Sequence, residues 1–216
     1  MNNWLDVADY WPLLLTGLGT TLFLSAVSIV GSTIIGVLTG IGLTARSRLI
    51  RAPLAAYSAI FRGSPILIQL FMIYLGLAYL GIDIPVAVAA AIGFSLYGGA
   101  YIAEIVHSGI TSVPSGQAEA ASAFAFGRIA TMTHVLLPQA LRVMLPSITA
   151  LWLGLIKDSS VASIIGYADL LNQGRTVIAL TRAPFETYIL IAIGYFIVCF
   201  PITLLVNRLE RKSAAA

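Results

Sequence analysis

Lys157-Asp158-Ser159-Ser160 interrupts an otherwise apolar stretch. Ionisable groups at membrane depth are costly, so each one prompts a functional reading. A helix that restarts at Pro146 would carry Asp158 about 18 Å along its axis, close to the middle of a bilayer. There Asp158 and Ser159 could form a polar substrate site in a broken helix. The other reading is an internal Lys157–Asp158 pair that locks helices together. Glu104 is the second candidate, and Tyr97 and Tyr101 precede it by seven and three residues, on one helical face. It either faces a substrate path, or snorkels from a helix end or pairs with Arg62. Arg62 lies in Phe61-Arg62-Gly63-Ser64-Pro65, where Gly63 and Pro65 predict a bend or cap. Arg62 could hold a carboxylate or be one more basic residue at a span end. His107 and His134 lack partners at metal-ligand spacing. No Gly-rich phosphate loop and no nucleophile motif is present, so no catalytic residue, cofactor or metal is expected in this chain. A Ser–Lys arrangement around Lys157 is the only enzyme-like alternative.

These residues must be positioned by elements that live in lipid. Of 216 residues 59% are hydrophobic and 10% charged, whereas a soluble domain carries about a quarter charged residues. An apolar soluble oligomer would not explain why the charges gather at the ends of long apolar runs. The net charge of +3 is dispersed in short groups, which gives no nucleic-acid signal. Cys199 is alone, inside an apolar segment, and reads as a buried inert thiol. The opening residues carry Asp6 and Asp9 and no basic cluster, so no cleavable signal is expected.

Apolar runs occupy residues 13–43, 53–80, 85–110, a fourth run from about 139 that residues 157–160 interrupt, and 184–206. Each is long enough to span as a helix, the form that satisfies its own backbone in lipid. Between the third and fourth runs, residues 115–126 and 128–137 predict two short helices. Pro138 and Pro146 are expected to break or start helices. Basic residues sort the loops. Arg46, Arg48, Arg51, Arg128, Arg142, Arg208, Arg211 and Lys212 would lie inside; Asp6, Asp9, Asp83, Asp169 and Glu186 would lie outside with Arg175 and Arg182. The prediction is an all-α membrane protein of five transmembrane helices, N-terminus outside and C-terminus cytoplasmic. Residues 1–216 form one domain without internal repeat.

Gly116-Gln117-Ala118-Glu119-Ala120-Ala121, followed by Leu136-Leu137-Pro138-Gln139-Ala140-Leu141-Arg142, resembles the EAA loop of permeases in binding-protein-dependent ABC importers. Phe61-Arg62-Gly63-Ser64-Pro65 looks like a segment of the polar amino acid permeases, and Ala100-Tyr101-Ile102-Ala103-Glu104-Ile105 and Lys157-Asp158-Ser159-Ser160 are similar to that subgroup too. One departure stands out. The family pattern has glycine six residues after the Glu, where this chain has Ala125; the nearest glycine is Gly127. A shifted turn is therefore expected.

The resemblance implies a subunit of the bacterial inner membrane that imports a polar amino acid. Opines or quaternary amines are the alternative cargo, and a secondary transporter is the more distant alternative. It implies a cytoplasmic coupling loop between the third and fourth spans, with Glu119, Ala120, Ala121, Gly127 and Pro138 serving a partner ABC ATPase dimer that carries the ATP and Mg. It further implies a second permease chain (a paralogue or a second copy), an extracytoplasmic substrate-binding protein and surrounding lipid as partners, with no nucleic acid. Substrate contacts are expected at Glu104, Asp158, Ser159 and Tyr101, and a structural gate at Arg62, Gly63 and Pro65.

Overall fold

The computed structural model describes residues 3–214, and the side-chain surroundings of residues 4–208. Arg211 and Lys212, two of the basic residues expected inside, therefore lie outside the described side chains. Among the described residues the chain is wholly helical. After α1 (Asn3–Ala8) come α2 (Trp11–Leu43), α3 (Arg48–Gly63), α4 (Ile66–Tyr79) and α5 (Val86–Thr111). Two short helices follow, α6 (Ser115–Ala123) and α7 (Arg128–Thr131). A π-helical turn (Met132–Leu136) leads into α8 (Leu137–Asp158), which ends in a 3₁₀ segment (Ser159–Ile165). Helices α9 (Leu170–Thr181) and α10 (Pro184–Ala214) complete the fold.

Four of these helical stretches are long and apolar enough to cross a membrane: α2, α5, residues 128–165, and α10. The second apolar run supplies a fifth only as the α3–α4 pair, which is bent by 107°. The expected bend at Gly63 and Pro65 is therefore nearly a right angle. Pro65 pushes Ser64 into extended backbone (φ −122°, ψ 146°), which ends α3. The buried Gln69 then staples the corner. Its Nε2 donates to the carbonyls of Phe61 (2.8 Å) and Ser64 (2.9 Å) and to Ser64 Oγ (2.9 Å). Those carbonyls close α3 and lack partners within the helix.

The expected break at Pro146 is absent, because α8 runs through it to Asp158. The effect of proline appears instead at Pro138. Its missing N–H coincides with a π turn in which Leu137 N bonds to Met132 O, and Gln139 Nε2 donates to Val135 O at 2.9 Å. Gln139 Nε2 also reaches Gln117 Oε1 (3.2 Å), which ties α8 to α6.

The most extensive helix pairing is α2 against α5. Small residues let the two backbones approach closely. A Cβ at Gly36 would lie 2.9 Å from the Gly99 carbonyl, and one at Gly40 would lie 2.7 Å from the Ala103 carbonyl. Trp152 Nε1 donates to Thr33 Oγ1 (3.1 Å) and joins α8 to α2.

The turn after α6 is not shifted. Ala125 holds φ 60°, the left-handed region, at the position where the resemblance calls for glycine. An L-residue there costs about 1–2 kcal/mol. Ala125→Gly is expected to stabilise the purified protein by about 1 kcal/mol after the entropy of the extra glycine is charged against it. A raised detergent-solution melting temperature would show it; an unchanged or lower one would contradict it.

Candidate functional site

One face of α5 carries Tyr97, Tyr101, Glu104 and His107, spaced by four, three and three residues. Helix α3 packs on this face through polar contacts. Tyr57 Oη donates to the Leu96 carbonyl (2.6 Å), and Ser58 Oγ donates to the Ala100 carbonyl (3.3 Å). Arg62 then forms an ion pair with Glu104, the one ion pair resolved among the described residues besides any made by Arg142. Of the readings open for Glu104, pairing with Arg62 is thus the observed one. The pair is not sealed off: the side chains are 38% and 42% exposed. The guanidinium also sits 5.8 Å above the Tyr101 ring, a cation–π distance.

From Tyr101 the file continues away from Arg62. The rings of Tyr97 and Tyr101 are 4.9 Å apart. Tyr97 in turn lies within electrostatic reach of Asp158, where α8 gives way to the 3₁₀ segment. Tyr97, Tyr101, Arg62 and Glu104 therefore form a continuous polar file through apolar helices, with Asp158 in electrostatic reach of its Tyr97 end. The alternative of a Lys157–Asp158 lock is not observed; Lys157 is exposed and makes no ion pair with Asp158.

Ser159 departs from its expected part. It is buried, and its hydroxyl donates to the Ile156 carbonyl at 2.7 Å. It closes the helix end, and Ser160, half-buried, does the same toward the Lys157 carbonyl. Glu104 borders two cavities. One, of about 410 Å³, lies between α3 and α5; the other, of about 360 Å³, lies between α5 and α8.

The loop predicted for coupling forms a separate surface. Glu119, Ala120, Gly127 and Pro138 are exposed, whereas Ala121 is buried and packs α6 onto its own chain. Phe124 (80% exposed) and Ile129 (81% exposed) stand beside them as bare apolar side chains. Among the described residues no three His, Cys, Asp or Glu side chains gather as a metal-ligand group.

Residues 32–214 match the family described as binding-protein-dependent transport system inner membrane component. The chain belongs to this family. It is therefore a multi-pass component of the bacterial inner membrane in a transport system that also uses a binding protein. The family is one of transporter parts, not enzymes. A Bacillus subtilis protein named as a probable amino-acid ABC transporter permease is 39% identical over 206 residues, covering 95% of this chain and 91% of the relative. The glutamine transport system permease of Escherichia coli K12 is 33% identical over 212 residues, covering 97% of each. Among solved structures, an amino acid ABC transporter crystallised with histidines superposes with a TM-score of 0.89 at 32% identity, covering 97% of this chain and 98% of that one. A methionine ABC transporter in an inward-facing conformation shares the fold, with a TM-score of 0.79 at 22% identity over 95% of this chain.

A second polar cluster of the permease was not legible as a site. Asp169, one of the acids assigned to the outer side, is fully buried. Its Oδ1 accepts from Asn172 N at 2.8 Å and caps α9, while Oδ2 is buried without a partner. The surrounding segment is laced to α2: Tyr167 Oη donates to the Thr20 carbonyl (3.0 Å) and Leu170 N to Thr21 Oγ1 (3.0 Å). Burial pushes the Asp169 carboxyl up to about 6, against the lowering effect of the Asn172 amide and of Arg175. A carboxyl raised in the fold binds a proton that the unfolded chain has released, so its contribution is greatest at acid pH and is lost as pH rises through about 6. The penalty above that pH is roughly 3 kcal/mol for a shift of about two units. Asp169→Asn keeps an N-cap and removes the charge. It is expected to raise the melting temperature at pH 8 by several degrees and by about half as much at pH 5, where the unfolded carboxyl is already ionised and the folded one is not. Equal effects at both pH values would show that the charge is not the cause.

Proposed function

We propose that this chain is the permease of an ATP-driven importer that admits a polar amino acid to the cytoplasm. The observation that carries this reading is the polar file from Asp158 through Tyr97 and Tyr101 to the Arg62–Glu104 pair. An amino acid carries an ammonium group that Asp158 or Glu104 can receive by charge-assisted hydrogen bonding. Arg62, held by Glu104 and Tyr101, is placed to act as a gate, and the corner at Gly63 and Pro65 fixes where α3 delivers it. The relatives named for amino acid and glutamine transport support the same cargo class.

In this reading the N-terminus is outside, and the end of the bundle carrying α6 faces the cytoplasm. Arg46, Arg48, Arg51 and Arg128 then follow the positive-inside rule. Glu119 and Ala120, flanked by exposed Phe124 and Ile129, dock in a groove of an ABC ATPase dimer that holds ATP and Mg. Ala121 supports the docking helix from beneath; Gly127 and Pro138 shape the turn and the π-helical hinge behind it. A second permease chain, identical or paralogous, completes the pore, and an external binding protein delivers the substrate. ATP-driven closure of the ATPase pair rocks the two permeases between outward and inward states.

The test is co-expression of this chain with its ATPase, its binding protein and any second permease, followed by reconstitution in liposomes. ATP hydrolysis stimulated by binding protein loaded with an amino acid is the expected result. Failure of any ATPase to co-purify would overturn the importer reading, and stimulation by a quaternary amine alone would overturn the cargo.

A further inference from the structure

The cavity of about 410 Å³ between α3 and α5 is lined by Arg48, Arg51, Arg62, Glu104 and His107, and its size falls within the range of about 300–1,000 Å³ typical of small-molecule sites. The three arginines stand at i, i+3 and i+14 of α3, on one face. Between Arg51 and Arg62 the lining positions are Ala52, Ala55, Ser58 and Ala59, whose small side chains leave the space open. Only Arg62 has an acidic partner in this cavity; Arg48 and Arg51 have none among the described residues. The cavity therefore holds two more arginine cations than carboxylates. It adjoins the polar file at Glu104 and extends toward the α2–α3 loop, away from Asp158.

A free amino acid is a zwitterion, and the file as described supplies two carboxylates for its ammonium group but only a paired cation for its carboxylate. We infer that this cavity is a cytoplasm-side subsite for a free amino acid, which sets its ammonium on Glu104 and its carboxylate on the arginine row, Arg62 first and then Arg51. The Arg62–Glu104 pair presents opposite charges in contact, and a zwitterion exchanges with it one for one. Neither charge is left without a partner during the exchange, which avoids the cost of an orphaned charge. The unpartnered Arg51 and Arg48 then draw the carboxylate onward to the cytoplasm. The inference rests on the amino-acid permease reading and can fail without it.

The test uses the whole transporter in phosphatidylcholine liposomes, with the ATPase outward and loaded binding protein enclosed. The amino acid chosen is the one that stimulates hydrolysis from the enclosed side, L-glutamine being tried first. The same amino acid is then added outside at millimolar concentration. Expected are slowed hydrolysis, no effect of the decarboxylated amine (4-aminobutanamide for glutamine), and at least a tenfold rise in the inhibiting concentration for Arg51→Gln. Arg51→Lys should recover part of the response, and Arg46→Gln, outside the cavity, should respond as the native protein does. Normal stimulation with no inhibition from outside, equal inhibition by the amine, or an unchanged Arg51→Gln would each overturn the subsite. So would a difference between Arg51→Gln and native protein that appears only when phosphatidylglycerol is present, since the arginines would then serve a lipid phosphate. Absence of stimulation from the enclosed side would instead count against the permease reading itself.

Discussion

Asp158→Asn should lower amino-acid uptake by the reconstituted importer roughly a hundredfold, with the complex still assembled. Asn fills the same space, so helix packing around the α-to-3₁₀ transition is kept. What disappears is the negative charge proposed to receive the amino acid's ammonium group. A hydrogen bond to a charged group contributes about 1.5–3 kcal/mol, and each 1.36 kcal/mol is tenfold in rate. Uptake of labelled amino acid into liposomes measures the loss, and amino-acid-stimulated ATP hydrolysis should fall with it. Because Asp158 makes no ion pair with Lys157, the change breaks no salt bridge. A melting temperature that drops in step with uptake would mean that Asp158 serves stability, and the substrate reading would then be lost.

The parts of this site that could be read from sequence are those whose residues are costly where they stand. Asp158 and Glu104 announce themselves because a carboxylate inside an apolar run needs a reason. Arg62 was tied to Glu104 only as one of several readings, since nothing in spacing brings residues 62 and 104 together. That contact depends on the corner at Gly63–Pro65, whose position was visible but whose size, 107°, was not. The corner is held by Gln69, a neutral amide in an apolar run that carried no signal. Ala125 misled in the opposite direction: a missing glycine suggested a moved turn, yet the backbone kept its left-handed residue and accepted the strain. Pro146 misled for a related reason. Proline in the middle of a long helix need not end it, and here the register adjusts at Pro138 instead. Asp169 was read only as an acid of the outer side; its burial follows from the fold of its segment onto Thr20 and Thr21, which no local pattern reveals.

Gly40→Val is expected to remove most of the folded permease from the membrane, and to silence what remains. The added Cβ would lie 2.7 Å from the Ala103 carbonyl and 2.6 Å from Val106 Cβ. A flexible side chain could yield; the α5 backbone cannot, because it is held by its own helix and by α3 through Tyr57 and Ser58. Helices α2 and α5 must then separate, at a cost typical of severe overpacking, roughly 1–3 kcal/mol or more. Ala103 is also the residue before Glu104, so a displaced α5 moves the carboxylate away from Arg62 and breaks the ion pair. Stability and transport are thus expected to fail together at this position, for one mechanical reason. Gly19→Ala is the comparison, since no atom lies within 4 Å of a Cβ built there. It should leave both properties intact and stabilise slightly, as alanine does against glycine in a helix. Fluorescence-detected gel filtration of the two variants, with uptake measured on the same preparations, separates them. A Gly40→Val protein that survives heating as the native one does would mean that α2 and α5 pack less tightly than their backbones indicate.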